Sequence, residues 1–180
     1  MAVLVEAISV IIRVDALREK FPGGLDAFLT IIPNRTFCFD GELARVGFMT
    51  PQDVHTFVTR LEQAGLEFMR EGKTVDFAVV DQLQGPTAPG DWLEFGHVTI
   101  NGMGCRVAAC RLAGSQSHII NYPDEWKFEG SLSDSGRFAA NEDVDKYLEY
   151  LRTENGVDVY RDKTTGKQVY IGRTGRRNLG

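Results

Sequence analysis

Cysteine, histidine and tryptophan are scarce, and each scarcity closes off a class of function. The chain holds 3 Cys, 3 His and 2 Trp in 180 residues. Cys38, Cys105 and Cys110 form an odd, widely spread set, which is no disulfide framework. Cys105 and Cys110 are five apart, so on one strand they point to opposite faces. No CxxC or HxxxH spacing offers metal ligands, and neither a metal nor another cofactor is expected. There is no GxSxG elbow to present a nucleophilic serine. The segment Lys163-Thr164-Thr165-Gly166-Lys167 contains a Gly-Lys pair but lacks the upstream glycine and following hydroxyl of a phosphate loop. Gly102-Met103-Gly104 lacks the third glycine of a dinucleotide fingerprint, and a β-prone run follows it where a helix is required.

Positive charge and long apolar runs are also lacking. The formal net charge is -5, which disfavours non-specific attraction to nucleic acid or anionic membrane. The apolar stretch over residues 2–14 is interrupted by Glu6 and Arg13 and is too short to span a bilayer. The first residues carry no basic region or cleavage signal, so no membrane partner is expected and the cytoplasm is the expected location. What remains is an ordinary globular composition, 43% hydrophobic and 25% charged. A chain of this size buries roughly 70% of its unfolded surface and needs no staple.

Along the chain, residues 3–14 read as one Val/Ile-rich, mostly buried strand. Asp15 is placed to cap a short helix ending at Pro22-Gly23-Gly24, and Leu25, Phe28, Leu29 and Ile32 fit one face of a second. Asp40-Gly41, between two β-prone runs, predicts a hairpin. Thr50-Pro51-Gln52-Asp53 is a strong helix start, with Val54, Phe57, Val58 and Leu61 on one face and Gly65 as the stop. Residues 74–80 read as a strand, with Val75, Phe77 and Val79 on one side and Ala78 and Val80 on the other. The fold class is therefore α+β. The order β-α-β-β-α-β over residues 1–83 is that of a ferredoxin-like split βαβ sandwich, a fold that does not determine function. Residues 84–90 hold two Pro and two Gly and read as a linker. Residues 91–180 then form a second, β-rich module with one helix. It comprises a hairpin around residues 101–104, a long polar loop over 114–140, a helix placing Val144, Tyr147, Leu148 and Leu151 on one face, and a last hairpin around Thr164-Thr165-Gly166.

Candidate functional residues fall into three groups. The segment joining the modules carries Asp81 and Trp92, and module interfaces frequently hold pockets. The long loop carries Tyr122 and Trp126, with Phe128 and Phe138, and loops of this length are functional or mobile. His97, with Asp91 or Glu94 to orient it, is the candidate acid/base, although the strand period separates His97 from Glu94. His55 reads as a boundary residue of its helix, and His118 lies in the polar loop. Residues 151–180 hold seven Lys/Arg and three Asp/Glu. There Lys163, Lys167, Arg173, Arg176 and Arg177 are interleaved with Tyr160 and Tyr170, a pattern that can follow a nucleic-acid backbone. The strongly acidic remainder opposes that field, so nucleic acid is not the expected partner.

The expectation is a non-enzymatic binding protein taking another protein or a small ligand through the module interface and the long loop. One version is an acidic inhibitor or immunity-type protein meeting a basic partner. The rivals are a small enzyme built on His97 and a nucleic-acid binder using the basic hairpin. Strand edges in either half offer a route to a homodimer.

Overall fold

A computed structural model describes residues 1–100, 105–117, 119–134, 148–154, 157–163, 166 and 168–172. Among these, strands β1 (Ala2–Val5) and β2 (Ile8–Arg13) lead into helices α1 (Val14–Lys20) and α2 (Gly24–Thr30). Strands β3 (Cys38–Phe39) and β4 (Leu43–Phe48), helix α3 (Pro51–Gln63), and strands β5 (Met69–Arg70), β6 (Lys73–Thr74) and β7 (Phe77–Asp81) follow. Then come β8 (Gly85–Pro86), β9 (Leu93–Ile100), β10 (Cys105–Leu112), β11 (Ile120–Asn121), β12 (Leu148–Glu154), β13 (Val157–Asp162) and β14 (Gln168–Gly172). The architecture is α+β, as the sequence indicates.

A five-stranded sheet has the order β3-β4-β2-β7-β8, and every neighbouring pair in it is antiparallel. Its central strand β2 is buried on both faces because both faces are covered. Ile8, Val10 and Ile12, with Ala44, Val46, Phe48, Phe77 and Val79, meet the helices through Val14, Leu17, Phe28, Val54, Phe57 and Leu61. Ile11, Leu43, Ala78 and Val80 point the other way and pack on Val3, Val5, Ala108 and Cys110 of a four-stranded sheet ordered β11-β1-β10-β9. The result is three layers: helices, five-stranded sheet, four-stranded sheet. A separate antiparallel sheet has the order β12-β13-β14.

The apolar run over residues 3–14 is two strands rather than one. The chain breaks at Glu6-Ala7, where Ala7 has φ 50. β1 leaves the five-stranded sheet and pairs antiparallel with β10, Val3 opposite Cys110 and Val5 opposite Ala108. The first residues of the chain thus hydrogen-bond a strand that follows the Pro/Gly-rich segment, and part of that segment, β8, is itself an edge strand on β7.

α3 begins as the sequence indicates: Thr50 Oγ1 accepts from the Asp53 backbone N–H at 3.1 Å, and Pro51 occupies the first turn. The hairpin at Asp40-Gly41 also forms. There Asp40 Oδ1 accepts from the N–H groups of Glu42 and Leu43, and Gly41 takes φ 96. Two further expectations are corrected. Asp15 does not cap α1, because Arg13 holds the cap position and Asp15 lies inside the first turn. Leu148 and Leu151, read as part of a helix, lie in β12, which pairs with β13 across Tyr150 and Tyr160. An apolar i, i+3 spacing is compatible with either element, and a pairing partner decides for the strand. Val144 and Tyr147 lie outside the described residues, as do residues 101–104 and 164–165 of the two later hairpins.

The central sheet yields a direct test. Phe77 is fully buried and stacks on Phe68 at 5.1 Å. Phe77→Ala is expected to lower the unfolding free energy by about 3–5 kcal/mol in urea titration. A loss under about 1 kcal/mol, which is within the range of a surface change, would contradict this packing.

Candidate functional site

The backbone break at Glu6-Ala7 opens a cavity of about 730 Å³ beside the end of β4. Four other stretches complete its walls. Gly47, Phe48 and Met49 come from the end of β4 and the residue after it, and Asp53, Thr56, Phe57 and Arg60 from α3. The segment after α2 gives Ile31, Pro33, Asn34, Arg35 and Thr36, and the long loop gives Pro123, Glu125, Trp126 and Leu132. Arg45 also lines it. The volume lies within the range of small-molecule sites, and the lining mixes aromatic and aliphatic walls with a few polar groups, as such sites do.

The break itself is held from three sides. Ala7 N–H donates to Gln82 Oε1 at 2.8 Å, and Gln82 N–H returns a bond to the Ala7 carbonyl at 2.9 Å. Gln82 Nε2 also donates to the Leu132 carbonyl at 3.2 Å, tying the break to the long loop. Ser133, fully buried, donates from its N–H and Oγ to Glu6 Oε1 at 3.0 and 2.5 Å. A non-glycine residue in this region costs of order 1–3 kcal/mol and persists where its surroundings over-determine it.

Arg45 is the third side. It is 2% exposed, on a strand that is buried throughout. Its Nε donates to Ser9 Oγ at 3.0 Å, Nη1 to the Thr36 carbonyl at 2.8 Å and Nη2 to the Glu6 carbonyl at 3.0 Å. Burial pulls its pKa down from the usual arginine value, while the neighbouring Cys38 and Glu6 push it back up. A guanidinium stays charged in proteins, so a fixed cation lies at the cavity. Gly47 makes room for it: a Cβ there would lie 2.3 Å from Arg45 Nη2. Gly47 is held in turn by Asn34 and Thr36. Asn34 Nδ2 donates to the Gly47 carbonyl at 2.8 Å, and Gly47 N–H donates to Thr36 Oγ1 at 2.6 Å.

Only some of the residues singled out from sequence meet here. Trp126 lines the cavity, with its ring 5.0 Å from that of Tyr122 and 6.4 Å from that of Phe128. Its indole Nε1 is buried and meets no acceptor among the described residues. Tyr122 is exposed next to the cavity residue Pro123. Trp92 lies elsewhere, packed beside the inter-sheet core and donating from Nε1 to the Thr74 carbonyl at 3.0 Å. Asp81 is buried, and its Oδ1 accepts from the N–H groups of Leu83 and Gln84 at 2.8 and 2.9 Å. Both residues hold the connection in shape.

His97, Asp91 and Glu94 are not brought together by their partners. Asp91 pairs with Lys73 at 2.6 Å and Glu94 with Arg111 at 2.6 Å. The bond from Arg111 and one from the Gly114 N–H hold the Glu94 carboxyl below the usual range. His97 lies opposite Ala108 and Glu94 opposite Arg111, three residues along the strand and so on the other face. Burial pulls the His97 pKa down, the charge of Arg106 adds to this, and a bond with the Gln82 backbone works against both. Its ring packs edge-on against Phe95 at 5.4 Å. Cys38 and Cys110 are poor nucleophiles: burial raises Cys38 to about 11 against the opposing pull of Arg45, and burial also raises Cys110.

In the basic hairpin Lys163 is exposed and Tyr160 packs edge-on with Tyr150, while Lys167, Arg173, Arg176 and Arg177 lie outside the described residues. His118 and Phe138 lie outside them as well. Among the described residues no group of His, Cys, Asp and Glu is placed to hold a metal ion, and no helix is long and apolar enough to cross a membrane.

Sequence reasoning missed Glu6, Asn34, Thr36, Arg45, Gly47 and Gln82. The available signal was Arg45 itself, a charge inside the apolar run Leu43-Ala44-Arg45-Val46-Gly47-Phe48. Buried arginines are rare unless their donors are spent on defined partners. No protein-family model matches the chain, and neither do any curated protein or solved structure compared with it.

Gln82→Ala removes the partner of the Ala7 N–H and of the Leu132 carbonyl. It is expected to cost about 1–3 kcal/mol and to speed amide exchange over residues 123–134. An unchanged urea midpoint with unchanged exchange would show that Gln82 does not hold the break.

Proposed function

We propose that this chain is a non-enzymatic binding protein whose cavity at Glu6-Ala7 and the end of β4 takes a small ligand. The observation that carries this reading is the combination of a 730 Å³ cavity, apolar walls and a buried arginine. Support also comes from the participation of the long loop, whose residues Pro123, Trp126 and Leu132 close one side. Ligand pockets with these traits bury most of a small molecule and orient it with few polar groups. The partners held by His97, Asp91 and Glu94 favour a binding role over a hydrolytic or transfer reaction. The order β3-β4-β2-β7, with helices in both connections, supports a ferredoxin-like reading of this half. Three free thiols fit a reducing compartment such as the cytoplasm.

A thermal-shift screen against organic acids, amines, nucleotides and sugars tests the proposal. A ligand at about 100 times its dissociation constant adds roughly 2.7 kcal/mol of stability and raises Tm. Thr56→Trp, made on an exposed position of α3 that lines the cavity, is expected to abolish the shift. No shift with any class, or a shift that survives Thr56→Trp, would contradict the assignment.

A further inference from the structure

The chemistry of the cavity narrows the ligand class. Three of its lining residues are cationic, Arg35, Arg45 and Arg60, and three are anionic, Glu6, Asp53 and Glu125. The carboxylates have partners. Glu6 is held by Ser133, Asp53 by the Thr50 hydroxyl at 2.7 Å, and Glu125 lies 3.7 Å from Arg35. The donors are in surplus. A guanidinium carries five N–H groups, and Arg45 places three of them on Ser9, Thr36 and Glu6. Nη1 and Nη2 each carry a second N–H beyond those bonds, and the buried Trp126 indole N–H meets no acceptor among the described residues. Donors buried without acceptors carry a desolvation cost that an acceptor-rich ligand relieves.

A planar guanidinium with two further N–H groups matches the two oxygens of a carboxylate. Glu6, Asp53 and Glu125 equal the cationic lining residues in number, and a second negative charge on the ligand meets their repulsion. The rest of the lining is a body site. Phe48 and Phe57 have rings 5.2 Å apart on one side, and Trp126 with Pro123 lies on the loop side.

The geometry points to an amphipathic organic monocarboxylate as the ligand. Its carboxylate is received by Arg45, and its rigid aromatic or alicyclic body lies against Phe48, Phe57 and Trp126. This rests on the small-ligand reading above. Arg45 thereby has two roles, clamping the Glu6 carbonyl from one part of the guanidinium and presenting charge to the cavity from the other.

The test uses the full chain and three probes of nearly one shape: naphthalene-2-carboxylate, its neutral carboxamide, and 2-naphthyl phosphate. Affinities are measured by titration calorimetry at neutral pH. The carboxylate is expected to bind roughly tenfold or more tightly than the amide, because a hydrogen bond to a charged group is stronger than one between neutral groups. The phosphate is expected to bind more weakly than the carboxylate. In Arg45→Gln the preference for carboxylate over amide is expected to vanish. The probe comparison needs no variant, so it stands even where Arg45→Gln does not fold. Equal affinity for carboxylate and amide overturns the monocarboxylate assignment and leaves the small-ligand reading intact. Tightest binding of the phosphate overturns the single-charge assignment in the same way. No binding of any probe overturns the monocarboxylate assignment, and carboxylate binding that persists in Thr56→Trp overturns both.

Discussion

The left-handed backbone at Ala7 sets the architecture, because it divides one apolar run between two sheets. Had residues 2–13 run straight, β1 would extend β2 along the five-stranded sheet, and β10 would keep only β9 as a partner. The turn sends Val3 and Val5 across to face Ile11, Ala78 and Val80, which closes the second core. The conformation is unfavourable for alanine, so it depends on neighbours. Those neighbours come from three places in the sequence. Arg45 holds the Glu6 carbonyl, Gln82 holds both polar groups of Ala7, and Ser133 holds the Glu6 side chain. The cavity lies at the same place, with Glu6 and Ala7 in its wall.

Arg45 both holds the break and lines the cavity. Arg45 lies on a strand whose other side chains are apolar, and a buried cation there costs free energy unless its donors are used. Two are used on the Thr36 and Glu6 carbonyls and one on the Ser9 hydroxyl, and Arg45 lines the cavity. Gly47 permits the close approach, and its carbonyl accepting from Asn34 and its N–H donating to Thr36 keep it in place. A ligand carboxylate on Arg45 would therefore act on the same contacts that hold β1 against the rest. Binding at this site and stability of the two-sheet core are expected to rise together, which is linkage in its simplest form.

Much of the fold was legible because local chemistry and tertiary structure agree there. The Thr50-Pro51 start of α3, the Asp40-Gly41 turn and the two faces of β7 follow from capping, turn geometry and alternation. The break at Ala7 was not legible, because alanine carries no left-handed signature and only Glu6 interrupts the run. Leu148 and Leu151 fit a helix face by their i, i+3 spacing, and that spacing says nothing of the strand partner β13, which follows β12 directly in the sequence. Of the site, the loop aromatics Tyr122 and Trp126 could be singled out by composition. Arg45 and Gln82 could not be placed at a site, since their significance lies in contacts to Glu6 and Ala7 some 40 and 75 residues away. Trp92 and Asp81 drew attention by residue type, and both have local structural partners.

The two tryptophans provide the most direct measurement of the central claim. Their indole N–H groups are chemically alike and differently placed: Trp92 donates to Thr74, whereas Trp126 lines the cavity with no acceptor among the described residues. A nitrogen–proton correlation spectrum of the labelled protein resolves both indole signals and the Arg45 Nε signal. On addition of naphthalene-2-carboxylate, the Trp126 and Arg45 signals are expected to move together while the Trp92 signal stays in place. Movement of Trp92 alone, or movement of neither Trp126 nor Arg45 under saturating probe, would contradict the account.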